Sequence, residues 1–105
     1  MDNLDKTIKY NSLYDIYKNL LTEKQRTYFE EYFFLDQSLG EIAEKHAVSR
    51  NAVYSQLQDI ENSLDDFESK LHLKRKNEKM HNLLEELKKD ATEEQLSVIK
   101  TMESI

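Results

Sequence analysis

Apolar side chains in the first third of the chain recur at helical spacing. A first stripe comprises Tyr10, Leu13, Tyr14, Tyr17, Leu20 and Leu21. Its steps of three and four residues predict a helix from about Asp5 to Leu20. Thr22 and Gln25 then have the capping-box spacing that starts a second helix. On that helix the inward-facing side chains are expected to be Tyr28, Phe29, Tyr32 and Phe33. Their spacing favours core packing over stacking platforms for single-stranded nucleic acid.

The stretch 38–57 has the spacing of a helix-turn-helix. Ser38 with Glu41 matches a capping box, and Ser49 matches the cap of a second helix. The two helices of such a motif cross steeply and need a small residue at their contact, where this chain has Ala43. The apolar faces that would pack there are supplied by Ile42, Val53 and Leu57. Capping, spacing and small residues agree, so we predict this motif.

The second helix of the motif presents a polar face away from the first helix. The predicted DNA-binding residues are Ser49, Arg50, Asn51, Tyr54, Ser55 and Gln58. They include side-chain types that form hydrogen bonds to base edges and phosphates in the major groove. The alternative is a pair of amphipathic helices on which Arg50 and Asn51 are merely solvated. The turn carries Ala47 instead of a residue tolerant of positive φ. A left-handed Ala47 would cost roughly 1 kcal/mol, so we expect an altered turn.

Beyond the motif, the second helix is expected to continue to Leu71. Its apolar positions alternate steps of four and three residues, at Val53, Leu57, Ile60, Leu64, Phe67 and Leu71. A seam over nearly three heptads is typical of a coiled-coil dimer or of the inner stripe of a bundle. We favour a homodimer, because a helix of about 23 residues spans roughly 35 Å and extends past what the preceding helices cover. The predicted dimer interface consists of Ile60, Leu64, Phe67 and Leu71.

A change of composition follows at residues 74–79, where four of six residues are basic. This segment is expected to be a hinge or an exposed surface. For its basic side chains, a role as solvated surface is favoured over a role in binding phosphate. Two further helices are predicted after it, with apolar positions Met80, Leu83, Leu84 and Leu87 on one and Leu96, Ile99 and Met102 on the other. The chain is thus divided into a helix-turn-helix domain (1–73) and a carboxy-terminal helical appendage (74–105). The appendage is expected to pack on its own chain or on a partner chain.

Composition indicates an all-α protein. The chain has no Pro, one Gly and little β-branched alternation. Its 105 residues suffice for one domain with an appendage. It has no Cys and no amino-terminal apolar run, so neither disulfides nor membrane insertion is expected and a cytoplasmic location is predicted. The net charge of −6 is unusual for a DNA-binding protein, which gathers phosphate contacts from Lys and Arg. Non-specific DNA affinity should therefore be weak.

The chain carries no pattern of catalytic residues. His46, His72 and His81 have no helical zinc spacing and no Cys partners, so no metal site is predicted. The many carboxylates belong to solvated helical faces, which does not favour acid–base chemistry. A single glycine excludes a Walker loop or a dinucleotide fingerprint. We therefore expect no enzyme activity and no cofactor.

Six segments of the chain resemble the YlxM family of small bacterial helix-turn-helix proteins. They are Leu4–Thr7, Asn11–Asp15, Leu20–Gln25, Ser38–Glu44, Val48–Tyr54 and Lys70–Leu73, and they are spread over about two thirds of the chain. The stretch 21–57 is also similar to region 4 of bacterial sigma factors, in which the second helix of the motif enters the major groove of promoter DNA. The resemblance implies a sigma region 4-like bundle that contains a long helix.

The resemblance also has functional implications. It assigns DNA contacts to Arg50, Asn51, Tyr54 and Ser55. Genes of the YlxM family lie beside those for the signal recognition particle protein and its receptor, which implies a regulatory role in that pathway. The family pattern often has Lys-Arg where this chain has Gln58 and Asp59. Two phosphate contacts are then missing, and Asp59 would add repulsion.

Two functions follow as hypotheses from different classes. The first is a dimeric DNA-binding regulatory protein that reads the major groove with the helix starting at Ser49. The second is an adaptor that keeps the sigma-like fold but uses its acidic surface and carboxy-terminal helices to bind a basic protein or ribonucleoprotein. The motif supports the first hypothesis, and the net charge of −6 supports the second.

Overall fold

The computed structural model describes residues 3–89 and 91–104, and within them all regular secondary structure is helical. The helices are α1 (Asn3–Tyr17), α2 (Glu23–Phe33), α3 (Leu39–His46), α4 (Arg50–Leu71), α5 (Leu73–Lys88) and α6 (Glu93–Glu103), with a short 3-10 helix at Lys18–Leu20. This confirms the predicted all-α class, with its long fourth helix and its carboxy-terminal helical pair. The chain forms two compact units, which divide between Leu71 and His72.

In the first unit, α1, α2 and α3 each pack against α4. The side chains with no exposed surface are Phe29, Ile42, Val53, Ile60 and Leu64. Aromatic rings fill the space between α1 and α2, where Tyr14 stacks on Phe29 with 4.2 Å between ring centroids. Offset stacking of this kind adds to the free energy gained by burying the rings. Core packing thus accounts for most of the aromatic residues of α1 and α2.

Three tyrosines of α1 donate hydrogen bonds to carboxylates of neighbouring helices. Tyr10 Oη donates to Asp65 Oδ2 (2.8 Å), and Tyr17 Oη donates to Glu68 Oε1 (2.6 Å), both on α4. The third bond runs from Tyr14 to Glu30 of α2. Burial, together with the adjacent carboxylate, raises the pKa of the Tyr10 hydroxyl above its ordinary value. Tyr10 therefore remains a protonated donor, and the three hydrogen bonds hold α1 in register.

In the first two predicted stripes, Leu20 and Tyr32 are exposed instead of buried. Tyr32 is 39% exposed, because Phe29 and Phe33 already occupy the inner face of α2. Leu20 is 55% exposed, because the chain changes from α-helix to 3-10 helix after Tyr17. A 3-10 helix has three residues per turn, so Leu20 rotates away from the apolar stripe. The prediction for Leu20 was wrong because of this change of helix type, and the prediction for Tyr32 was wrong because the inner face of α2 is already occupied.

The second unit contains α5 and α6. Its buried apolar residues are Leu84 and Ile99, one from each helix. Lys88 of α5 also forms an ion pair with Glu103 of α6 (Nζ–Oε1 2.6 Å). A capping box at Thr92 starts α6, as predicted. That this unit packs on its own chain or on a partner chain stays a prediction.

The break between α4 and α5 lies at a single residue. His72 has φ 54° and ψ 30°, in the left-handed region, and α5 begins at the next residue. The basic segment 74–79 is therefore not a hinge, because it forms the first turns of α5 and is mostly exposed. An exposed surface was the alternative prediction for this segment, and its residues are mostly exposed. Among the helices that the structure describes, none has the length and hydropathy of a membrane span.

Candidate functional site

The site begins at Ser49, which caps α4. The backbone N–H of Ala52 donates to Ser49 Oγ (3.0 Å), and the Val53 N–H donates to the Ser49 carbonyl (3.2 Å). The first bond satisfies a donor that an unprotected helix start would leave without a partner, and the second is the first backbone bond of the helix. Ser49 is thus placed as predicted, and its hydroxyl is engaged in capping. Arg50 and Asn51 follow in the first turn of α4, and both are exposed.

The inner face of α4 fixes which residues point outward. Val53 and Leu57 are 0% and 5% exposed, and they face the buried Ile42 and Ala43 of α3. Because a helix turns 100° per residue, burying positions 53 and 57 directs positions 51 and 55 away from α3 and leaves position 54 at the edge of the buried face. Position 50 shares the side of positions 53 and 57 but lies in the first turn of α4, where it is exposed. These four residues are all exposed. We call Arg50, Asn51, Tyr54 and Ser55 the reading face.

Gln58 differs from the other candidates because it is only half-exposed. Its Nε2 donates to Tyr54 Oη (3.2 Å), one turn earlier on α4. The Tyr54 side chain is 53% exposed, so this hydrogen bond orients a ring that stands largely in solvent. Arg50 is the single basic side chain between Ser49 and Asp59. The positive charge available to a phosphate is therefore concentrated at the start of α4.

The turn between α3 and α4 keeps its left-handed residue even though that residue is not glycine. Ala47 has φ 55° and ψ 45°, and its N–H donates to the Ala43 and Glu44 carbonyls at the end of α3. The Val48 N–H also donates to the Ala43 carbonyl (3.0 Å). The expected altered turn is therefore absent, and the chain adopts the strained conformation at Ala47. This strain costs about 1–2 kcal/mol.

Replacing Ala47 with Gly should stabilise the protein by about 0.5–1 kcal/mol. Glycine adopts positive φ without strain, and its greater freedom in the unfolded chain offsets part of the gain. The same change at Ala52, which has helical dihedrals, should destabilise the protein by up to about 1 kcal/mol. Urea denaturation of both variants measures the two free energies. Equal destabilisation by both substitutions would show that Ala47 is not strained.

A buried carboxylate supports this turn from the side of α2. Glu31 is 3% exposed. Its Oε1 lies 2.6 Å from His46 Nε2 and its Oε2 lies 2.6 Å from Lys45 Nζ, both at the end of α3. The His46 ring also lies 4.8 Å from the Tyr28 ring centroid. Glu31 therefore holds the last turn of α3 against α2, immediately before Ala47.

Sequence reasoning missed this cluster and described His46 as isolated. Glu31 lies fifteen positions before His46, and no local spacing pattern links them. An inward-facing Glu on a helix with aromatic neighbours was the only available signal. Burial disfavours the charged Glu31, but hydrogen bonds from Lys45 and His46 outweigh it and hold the carboxyl pKa below its ordinary value of 4.5.

Replacing Glu31 with Gln should destabilise the protein by about 1–3 kcal/mol at pH 7, because the ion pair with Lys45 is lost and the hydrogen bond with His46 no longer involves a carboxylate. A pKa that is lower in the folded state contributes stability above the unfolded-state value, and the contribution is lost as pH falls. The difference between wild type and Glu31→Gln should therefore shrink below about pH 4.5. Thermal melts from pH 7 to pH 3 measure this difference. A difference that is independent of pH would contradict the assignment.

The four residues predicted at a dimer interface have different environments. Ile60 and Leu64 are 0% exposed and belong to the core of their own chain. This corrects the expectation that they contact a second subunit, because α1 and α2 already cover that part of α4. Phe67 is half-buried, with its ring centroid 5.8 Å from that of Tyr17. Leu71 is 44% exposed at the end of α4.

Metal binding has no support in the described parts of the chain. Within residues 3–89 and 91–104, no three His, Asp or Glu side chains are grouped so that they could hold a metal ion. Glu31 and His46 are adjacent, but the remaining group at this site is the Lys45 ammonium, which cannot bind a metal. The arrangement at the end of α3 is that of a structural ion-pair cluster.

Comparison with known proteins identifies relatives over nearly the whole chain. The model of the UPF0122 family, described as "Putative helix-turn-helix protein, YlxM / p13 like", matches residues 4–105. A UPF0122 protein from Halalkalibacterium halodurans is 48% identical over 100 residues, which cover 91% of this chain and 92% of the relative. One from Oceanobacillus iheyensis is 52% identical over 85 residues, or 81% of each chain. A third, from Shouchella clausii, is 48% identical over 92 residues and covers 88% and 84%.

Proposed function

This chain belongs to the UPF0122 family of YlxM / p13-like helix-turn-helix proteins, and on this premise we propose that it is a regulatory protein that binds duplex DNA. The observation that carries the proposal is the exposed reading face on the first turns of α4, directly after a capped turn. Helix-turn-helix proteins contact base edges with the amino-terminal residues of this helix.

Each residue of the site has a role in this proposal. Arg50 forms a bidentate contact with guanine or a contact with phosphate, and Asn51 contacts adenine. Tyr54 and Ser55 donate hydrogen bonds to the phosphate backbone. Gln58 orients Tyr54 through the hydrogen bond between their side chains. Ser49 caps α4 and leaves its helix N-terminus directed toward the DNA.

The net charge limits how such a protein binds. With a net charge of −6 and an exposed Asp59 after the reading face, the chain gains little from non-specific attraction to phosphates. Binding then depends on base contacts, so its sequence specificity is high and its affinity for DNA of unrelated sequence is low. We further propose that it acts as a homodimer in the cytoplasm. Phe67 and Leu71 are the parts of the seam that remain for contact with a second subunit.

Selection of bound duplexes from a random-sequence pool tests this function. At about 100 mM salt the Debye length is about 10 Å, so long-range attraction between the protein and phosphates is largely screened. We expect wild type to enrich a short motif, and a dimer to enrich one with two-fold symmetry. Failure to enrich any sequence would contradict DNA reading by this face.

A second candidate function is an adaptor for a basic protein or ribonucleoprotein. It is favoured by the acidic surface and by the α5–α6 unit, where Leu83, Leu87 and Val98 are more than half exposed. The link to the signal recognition particle that the family resemblance implies belongs to this candidate and to the regulatory one alike. Titration of the purified particle at low and high salt tests it. Salt-sensitive binding would support the adaptor, and equal signals with an unrelated acidic protein would contradict it.

A further inference from the structure

A cavity of about 530 Å³ lies in the first unit beside the reading face. Its walls come from the start of α1, the loop between α2 and α3, the first turn of α3 and the middle of α4. This volume is within the range of small-molecule sites in proteins. The proposed mechanism of DNA contact does not require a concave site here.

The charged groups of the cavity are mostly acidic. Three carboxylates line it, from Asp36, Glu41 and Glu61, against the single ammonium of Lys6. Lys6 lies 3.3 Å from Glu61 Oε2, and Glu61 is 8% exposed. Gln37 Oε1 is buried and has no hydrogen-bond partner among the described residues. The cavity therefore has an excess of negative charge and at least one buried acceptor that lacks a donor.

Aromatic rings complete the walls. Tyr32 and Tyr54 both line the cavity, and both are partly exposed, at 39% and 53%. The face of a tyrosine ring attracts a cation, and its effect adds to that of nearby carboxylates. The half-buried Phe33 and the buried Leu57 also line the cavity and make part of it apolar. The combination of carboxylates, ring faces and apolar surface suits the alkyl chain and the charged ends of an organic amine.

We propose that this cavity binds a small aliphatic polyamine. Ammonium groups donate hydrogen bonds and accept none, which suits the three carboxylates of the walls and the unpartnered Gln37 Oε1. An extended amine fits better than a metal ion, because no group of three possible ligands to a metal occurs among the described residues. One ammonium group would lie between Asp36 and Glu41 near Gln37. Another would lie near Glu61, with the alkyl chain against the tyrosine rings.

This site adjoins the residues proposed to read DNA. Tyr54 and Gln58 line the cavity and hydrogen-bond to each other (3.2 Å). An occupant in contact with the Tyr54 ring would therefore change its freedom to turn toward DNA. This consequence rests on the proposed DNA-binding function, whereas amine binding itself does not. The test is accordingly made without DNA.

Calorimetric titration with spermidine at about 100 mM salt tests the proposal. We expect one-to-one binding to wild type, weakened about tenfold or more by the double substitution Asp36→Asn and Glu41→Gln, which removes two charge-assisted contacts. Both changes suit the fold. Asp36 has φ 54°, which Asn tolerates, and Glu41 occupies a capping-box position that also accepts Gln.

A matched control removes the same charge elsewhere. The double substitution Asp15→Asn and Glu86→Gln changes two exposed carboxylates outside the cavity and should leave the affinity nearly unchanged. A ligand control uses fully acetylated spermidine, which has lost its charge and should bind wild type at least about tenfold more weakly. Equal weakening by the two double variants, or equal affinity for both ligands, would overturn the proposal. Absence of one-to-one binding to wild type would overturn it as well.

Discussion

Replacing Arg50 with Glu is expected to weaken binding to the selected duplex by at least about 100-fold. A bidentate arginine contact is worth about 1–3 kcal/mol of discrimination, and the reversed charge adds repulsion from phosphates. Arg50 is exposed in the first turn of α4, where a negative side chain is favourable to the helix dipole. Helicity and melting temperature should therefore remain at the wild-type level. Fluorescence anisotropy and circular dichroism measure the two effects.

The control for this variant reverses an equivalent charge outside the motif. Lys79 is exposed on α5, within the basic segment 74–79 that could also grip phosphate. Lys79→Glu changes the net charge by the same amount and should alter binding only slightly, mainly through long-range attraction. If Lys79→Glu lost as much affinity as Arg50→Glu, the basic segment would be the DNA contact. Unchanged binding by Arg50→Glu would remove Arg50 from the site.

Replacing Leu64 with Ala is expected to destabilise the protein by about 2–5 kcal/mol. Leu64 is 0% exposed, so its truncation leaves a cavity in the core as well as losing buried apolar surface. The loss should be the same at every protein concentration, because Leu64 packs against its own chain. Urea denaturation at protein concentrations about a hundredfold apart separates a core residue from a dimer contact.

Leu71 provides the comparison on the same helix and the same heptad seam. It is 44% exposed, so Leu71→Ala should change the free energy of unfolding of a single chain by no more than about 0.5 kcal/mol. A larger effect that appears only at high protein concentration would indicate that Leu71 contacts a second subunit. A Leu64→Ala effect that vanished on dilution would contradict the assignment of Leu64 to the core.

Local sequence patterns were sufficient to predict the architecture of this chain. Ser38, Ser49 and Thr92 mark helix starts because a cap and its partner are only three residues apart. The long α4 could likewise be predicted from its apolar spacing. The same spacing could not distinguish a core stripe from a dimer seam, since Leu64 and Leu71 occupy equivalent heptad positions and only tertiary packing separates them.

The contacts that hold the turn between α3 and α4 could not be predicted from local sequence patterns. The contact between Glu31 and His46 depends on how α2 meets the end of α3, which no sequence period encodes. Ala47 was expected to avoid the left-handed region, yet five hydrogen-bonding and ionic contacts of Glu31 and the end of α3 hold the turn. These tertiary contacts offset the cost of about 1–2 kcal/mol of the left-handed conformation at Ala47. The cavity beside Tyr54 required the same long-range information.

Site-specific photo-cross-linking to the selected duplex tests the central claim most directly. A photoreactive residue is placed at Asn51 and, in a second variant, at Asp66, which is exposed on the same helix about 22 Å farther along its axis. The account predicts cross-links from position 51 to bases of the enriched motif and none from position 66. Equal cross-linking from both positions, or none from position 51 while the duplex remains bound, would show that the first turns of α4 do not read DNA.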